Sequence, residues 1–177
     1  MISKVDVERF SLTSSRSFDE VLAAINDAVG HPDMTEFWRS THQARTVGEL
    51  ENSIQKALGK TGLMSFVEFD HGAIVRKMTG RDTPRIVRLV IGNPLIMQQM
   101  AKHVPDAGSY APVSVLVDER PDGVHLSYDR MASFLAPYAN ADVFAVARNL
   151  DNKIEDLLQQ AAAYVALELA DWSGSNE

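Results

Sequence analysis

Three short segments of this sequence place side chains suited to acid–base or ligand-binding chemistry directly after apolar runs. They contain Asp70-His71, Asn93 and Tyr128-Asp129. A carboxylate beside a histidine can fix the imidazole tautomer and raise its basicity, which is the arrangement of a general base. Tyr128 could donate a hydrogen bond to a ligand oxygen, and the N–H groups after Asn93 could hold an anionic group. If the strands lie side by side, we expect these residues to converge on one cleft.

Each of these residues also has a structural interpretation that requires no ligand. Asp70 can cap a turn, and His71 can satisfy a buried carbonyl. Asn93 followed by Pro94 fits an N-cap with proline at the first helical position, which explains the asparagine fully. Tyr128 can bury its ring and leave its hydroxyl in water. The structural interpretation is the stronger one for His71 and Asn93.

The usual catalytic and metal-binding patterns are absent from the sequence. The chain has no cysteine, which excludes disulfides, thiolate nucleophiles and Cys-containing zinc sites. None of its histidines are paired at the i, i+4 spacing of a helical metal site, and no Gly-x-Ser-x-Gly, Walker or dinucleotide pattern occurs. We therefore predict no metal site and no cofactor.

Composition and charge limit the classes of protein to which this chain can belong. A chain of 177 residues with 45% hydrophobic and 23% charged residues is typical of one globular domain. The net charge of −7 argues against a nucleic-acid partner, which would require clustered basic residues. No apolar run is long enough to span a membrane, and the first residues lack the apolar core of a signal peptide. We expect a cytoplasmic protein without a membrane or nucleic-acid partner.

The elements that must position these residues follow from hydrophobic periodicity, capping patterns and turn residues. Capping boxes predict helices that begin after Ser17 and Thr46, and Pro121-Asp122-Gly123 predicts a hairpin. Predicted strands cover residues 5–12, 63–69, 85–91, 113–117 and 124–128. Residues 31–45 are predicted to pack as a short helix or ordered loop, because Phe37 and Trp38 would be costly to expose. We predict an α+β fold: a mixed, largely antiparallel sheet with helices packed on one side and a long C-terminal helix.

The predicted C-terminal helix runs from about Asp142 to Trp172. Thirty residues would extend about 45 Å, which exceeds the diameter of about 40 Å of a compact domain of this size. After Leu157 the helix becomes apolar nearly all round, which is typical of burial on more than one face. We therefore predict that its second face contacts another subunit in a homodimer. The alternative is a break near residues 149–152 that lets both pieces cover one core.

Taken together, the segments from about residue 46 to residue 160 resemble the DUF302 family. The resemblance rests on the order of Asp70-His71, Gly92-Asn93-Pro94, Tyr110-Ala111-Pro112, Asp122-Gly123 and Ser127-Tyr128. Met131 departs from it, because related sequences tend to carry a proline after the Tyr-Asp pair. The resemblance implies an α+β fold but no accepted substrate, cofactor or catalytic residue. We predict a single domain in which residues 1–45 form a strand-helix extension, residues 46–160 the core, and residues 161–177 a helix end and tail.

Three functions remain open at this point. The leading hypothesis is a non-catalytic, homodimeric domain that binds or senses a small ligand near Asp70, His71, Asn93, Tyr128 and Asp129. The second is an enzyme that uses His71 as general base, oriented by Asp70 or Asp129. The third is a structural module whose function is the interface of its C-terminal helix.

Overall fold

A computed structural model describes residues 4–163, and it contains one five-stranded sheet. The strands are β1 Arg9–Ser14, β2 Met64–Asp70, β3 Ile86–Gly92, β4 Val113–Arg120 and β5 Gly123–Asp129. They lie in the order β1-β5-β4-β3-β2, and every neighbouring pair is antiparallel. Pro121 and Asp122 connect β4 to β5 in the predicted hairpin. The α+β fold with a largely antiparallel sheet is therefore confirmed.

Seven α-helices accompany this sheet within residues 4–163. They are α1 Phe18–Ala28, α2 Met34–Gln43, α3 Val47–Ala57, α4 His71–Thr79, α5 Pro94–Ala101, α6 Met131–Leu135 and α7 Ala141–Ala162. Two short 3-10 helices cover Pro105–Ser109 and Ala136–Tyr138. None of these helices is long and apolar enough to cross a membrane.

The predicted helix starts are confirmed in atomic detail. Ser17 and Glu20 form a reciprocal capping box at the start of α1. The Thr46 hydroxyl accepts a hydrogen bond from the backbone N–H of Glu49 at the start of α3. The Glu49 carboxylate accepts instead from the backbone N–H of Arg45, so the second half of this box is shifted by one residue. These caps satisfy N–H groups that the first helical turn leaves without partners.

Side-chain alternation gives the sheet two different faces. One face is buried under the helices and carries apolar side chains such as Leu89, Val115 and Leu126, each at most 1% exposed. The other face, called the open face below, carries side chains that are exposed or half-buried. Its central row runs across all strands in register: Ser11, Ser127, Leu116, Arg88 and Phe69. The sheet therefore packs one face on the hydrophobic core and presents a mixture of polar and apolar side chains on the other.

Helix α7 is continuous through residues 149–152 and extends over 22 residues, about 33 Å. It packs against α1, α5, α6 and the buried sheet face. Leu158, which begins the part of the helix predicted to be apolar nearly all round, is fully buried in the main core. The predicted continuation to Trp172 lies outside the described residues from residue 164 onward.

Helices α2 and α3 pack against each other and against the start of β2. Their contact is a small cluster separate from the main core, formed by Phe37, Ile54, Ala57 and Met64. Residues 31–45, for which the sequence left open a helix or a loop, thus contain a helix. Phe37 is 4% exposed, whereas its neighbour Trp38 is 46% exposed and remains at the surface.

Candidate functional site

The five predicted site residues do not share one cleft. Asp70 pairs with Val87 near the start of β3, whereas Asn93 follows the end of that strand, roughly 20 Å away. Asp129 lies on β5, three strands from β2, which corresponds to about 14 Å. Tyr128 faces the core, on the opposite side of β5 from its neighbour Asp129. Antiparallel pairing of β2 with β3 places Asp70 at the opposite end of the sheet from Asn93, and side-chain alternation on β5 places Tyr128 and Asp129 on opposite faces.

Asp70 and His71 lie at the junction of β2 and α4. Asp70 caps α4: its carboxylate accepts from the backbone N–H of Ala73 at 2.7 Å and from Arg76 at 3.1 Å. The Ala73 N–H is the main reason that the pKa of Asp70 is lowered. His71 is exposed and its ring stacks on Phe69, with centroids 5.8 Å apart. Among the described residues, no carboxylate bonds to the His71 ring, so nothing there orients it as a general base.

Both polar atoms of the Asn93 side chain have protein partners. Its Oδ1 accepts a hydrogen bond from the backbone N–H of Leu95 at 2.8 Å, and its Nδ2 donates to the Gly62 carbonyl at 2.9 Å. The predicted N-cap of α5 is therefore present. The second bond ties this helix start to the loop before β2.

Tyr128 belongs to a buried polar cluster. Its ring is 1% exposed, and its hydroxyl donates to the Asp151 carboxylate at 2.6 Å. Asp151 is itself fully buried and also accepts from the backbone N–H groups of Met131 at 2.7 Å and Ala132 at 3.1 Å. Burial, reinforced by the charge of Asp151, raises the pKa of the Tyr128 phenol. This cluster fastens β5 and the first turn of α6 to α7.

Asp129 lies on the open face. The Arg9 guanidinium donates to both of its carboxylate oxygens, at 2.6 and 2.9 Å. Beside this pair, Arg88 donates twice to the Ser114 hydroxyl, at 2.7 and 3.0 Å. Asp129, Arg88 and Ser114 border two shallow grooves of about 210 and 350 Å³. Of the five predicted residues, Asp129 thus lies in a solvent-reachable polar groove.

A different hollow, called the apolar cavity below, has a volume of about 250 Å³ and lies where β3 ends and β4 begins. Helices α2, α5 and α7 each contribute to its wall. The lining residues are Trp38, Phe66, Gly92, Asn93, Pro94, Met97, Ala111, Pro112, Val113 and Leu150. None of them is charged. Apolar walls with a few polar groups are typical of small-molecule sites, although most such sites are larger, at about 300–1,000 Å³.

Two local features keep the apolar cavity open. A Cβ atom on Gly92 would lie 3.0 Å from the Pro112 Cβ and 3.5 Å from the Phe66 ring, so glycine leaves room at the cavity floor. The Trp38 ring packs edge-on against Phe37 at 5.0 Å between centroids and lies 6.3 Å from Phe66. Because Trp38 is half-exposed, it forms the rim where solvent reaches the cavity.

Sequence reasoning missed Asp151 and the apolar cavity. Asp151 had a detectable signal, because Ala147, Asp151, Ile154 and Leu158 follow the i, i+4, i+7, i+11 spacing of one buried helix face. An acidic residue on such a face requires a buried partner. The cavity had no comparable signal, since its wall comes from separate elements and each lining residue resembles an ordinary core residue.

The fold and these hollows define a class of protein: an α+β domain with an antiparallel sheet and an apolar cavity. The chain belongs to the DUF302 family, whose model, "Domain of unknown function DUF302", matches residues 40–161. The fold is similar to the crystal structure of an uncharacterized conserved DUF302 protein from Bacillus stearothermophilus, with a TM-score of 0.60 and 11% identity. That similarity covers 86% of this chain and 97% of the other. No curated protein matches the chain.

Proposed function

We propose that this protein is a small-ligand-binding or sensing domain that takes a compact apolar molecule in the apolar cavity. The observation that carries this proposal is a cavity of about 250 Å³ whose lining residues include no charge. At about 30 Å³ per non-hydrogen atom, it would hold a molecule of roughly eight atoms. A smaller, enclosed apolar cavity of about 150 Å³ binds benzene, so apolar walls of this kind can hold an aromatic ring.

The proposal does not require His71. Asp70 is occupied as a helix cap, and Asp129 lies three strands away on the open face. Neither carboxylate is available to orient the imidazole in the way the enzyme hypothesis needs. The apolar cavity instead points to binding through burial of apolar surface, which stabilises a complex by about 25 cal/mol per Å².

Toluene is a suitable probe because its seven non-hydrogen atoms fit the apolar cavity. We expect the full chain to bind it and to unfold at a higher temperature in its presence, as mass action requires for a ligand of the native state. Met97→Trp, which fills the cavity, is expected to weaken binding at least tenfold in calorimetric titration. Met78→Trp is the matched control, because Met78 is 82% exposed on α4.

Equal toluene affinity in the wild type and in Met97→Trp would contradict the proposed location. If Met97→Trp fails to fold, nuclear Overhauser contacts between toluene and the Met97 methyl group in the wild type give the same information. Toluene contacts confined to residues outside the apolar cavity, or no toluene binding by a folded wild type, would also overturn the proposal.

We further propose that the protein is a homodimer. The support is the apolar composition of the C-terminal segment, in which Val165, Leu167 and Leu169 follow the end of α7. The full chain is expected to sediment as a dimer at micromolar concentration. The double substitution Leu167→Glu and Leu169→Glu is expected to shift the protein toward monomer. Ile74→Glu is a control, because Ile74 is 66% exposed on α4. A monomeric wild type would show that the proposed dimer does not form.

A further inference from the structure

The open face carries a guanidinium that has no carboxylate partner among the described residues. Arg88 lies in the middle of β3, and no Asp or Glu oxygen lies within 4.0 Å of its nitrogens in residues 4–163. Its Nε and Nη2 both donate to the single hydroxyl oxygen of Ser114. Because a guanidinium has five N–H donors, several remain for another acceptor. The Ser114 hydroxyl, already accepting twice, keeps its own hydrogen to donate.

The charges around Arg88 favour an anion. The carboxylate of Asp129 borders the same grooves but already receives two hydrogen bonds from Arg9. Two guanidinium groups therefore face one carboxylate, which leaves a local excess of one positive charge in a protein with a net charge of −7. The Arg88 guanidinium is partly preorganised, since its two hydrogen bonds to Ser114 hold the side chain against the sheet.

The larger groove offers apolar surface next to this charge. Its far wall includes Tyr110 and Phe134, whose rings are stacked with centroids 4.7 Å apart. Pro112 and Met131 complete the apolar part of the wall. A ligand in this groove would thus meet both a positive group and aromatic surface.

We propose that the open face binds the carboxylate of a small aromatic acid, at a site separate from the apolar cavity. The carboxylate accepts hydrogen bonds from the free N–H groups of Arg88 and from the Ser114 hydroxyl, which are charge-assisted contacts. The ring of the ligand lies toward Tyr110 and Phe134. A planar fork of donors matches a planar carboxylate, which is the recognition that arginine provides and lysine does not.

Benzoate and its neutral isostere benzamide test this site in calorimetric titrations of the full chain. We expect the wild type to bind benzoate at least tenfold more tightly than benzamide, because only benzoate pairs with the guanidinium. Arg88→Gln is expected to weaken benzoate binding at least tenfold and to remove the preference over benzamide. Arg88→Lys, which retains the charge without the fork, should restore only part of the affinity.

Matched controls separate this site from other effects. Arg148→Gln makes the same change of charge on α7 and should leave benzoate affinity unchanged. Met97→Trp, which fills the apolar cavity, should also leave benzoate affinity unchanged. A negative result for benzoate at the open face can therefore be told apart from a negative result for toluene in the cavity. Unaltered benzoate affinity in a folded Arg88→Gln protein would overturn the proposal. So would tighter binding of inorganic phosphate than of benzoate, since it would indicate a general anion site.

Discussion

Replacing Asp151 with alanine is expected to lower the free energy of unfolding by about 3–5 kcal/mol, the cost of removing one partner from a buried charged cluster. The carboxylate is fully buried and accepts hydrogen bonds from the Tyr128 hydroxyl and from two backbone N–H groups at the start of α6. Alanine would leave the Tyr128 hydroxyl and the Ala132 N–H buried without acceptors, whereas the Met131 N–H would keep the Tyr128 oxygen at 3.1 Å. Each buried group without a partner costs about 1–3 kcal/mol. Since small domains are stable by only about 5–15 kcal/mol, the loss is large.

Urea unfolding at neutral pH measures this effect. Asp156→Ala is the matched control, because Asp156 is an exposed aspartate on the same helix and its loss should change stability by no more than about 0.5 kcal/mol. Tyr128→Phe removes two hydrogen bonds of the cluster, the donation to Asp151 and the weaker one accepted from the Met131 N–H, and is expected to cost about 1–2 kcal/mol. A loss below 1 kcal/mol for Asp151→Ala would show that water replaces the carboxylate, contrary to the buried geometry.

Replacing Gly30 with alanine is expected to destabilise the protein by about 3 kcal/mol or more, the upper range for overpacking a core. A Cβ atom at this position would lie 1.9 Å from the carbonyl oxygen of Ala57 and 2.8 Å from the backbone nitrogen of Gly59. Backbone atoms cannot rotate away, so the chain itself must move. The adjacent N–H groups of Gly30 and Gly59 both donate to the Leu63 carbonyl at 2.9 Å, and the shift would strain these bonds.

Gly48→Ala is the matched control for Gly30→Ala. A Cβ atom on Gly48 meets no atom within 4 Å, and alanine in the exposed first turn of α3 should stabilise the helix by up to about 0.5–1 kcal/mol. The two substitutions should therefore have opposite signs in thermal or urea unfolding. Equal stability of the two variants would contradict the close approach of Gly30 to the end of α3.

The Gly30 contact also affects the apolar cavity. The Gly30 hydrogen bond to Leu63 joins the end of α1 to the loop before β2. This loop follows α3, which packs against the Trp38-bearing helix α2. A shift there would displace Trp38 or Phe66 relative to Met97. The Gly30→Ala variant, if it folds, should therefore bind toluene more weakly than Gly48→Ala does.

The sequence predicted most of the secondary structure because the signals are local. Ser17 with Glu20 and Asn93 with Pro94 specify helix starts through contacts within one turn, and the structure confirms both. Pro121-Asp122 specifies the hairpin in the same way. Helix α6 was missed, because at five residues it is too short to show a period.

Local sequence signals could not establish whether the five predicted site residues form one cleft. His71, Asn93 and Tyr128 all follow apolar strands, but the position of a strand in the sheet depends on pairing between distant segments. In this sheet, antiparallel pairing sends Asn93 to the edge opposite Asp70, and the side-chain alternation of β5 turns Tyr128 inward. The ligand-binding role assigned to these residues stays a prediction. Two of the five line different hollows, since Asn93 borders the apolar cavity and Asp129 borders the grooves of the open face.

The amino-acid sequence alone determined the α+β class, most of the element order and the family resemblance, since periodicity, caps and turns depend on residues a few positions apart. Only the tertiary structure decided that Asp151 holds Tyr128, that Arg88 lies beside Ser114 and that Trp38 borders the apolar cavity. These contacts join residues separated by 23 or more positions, and packing of the whole chain brings them together.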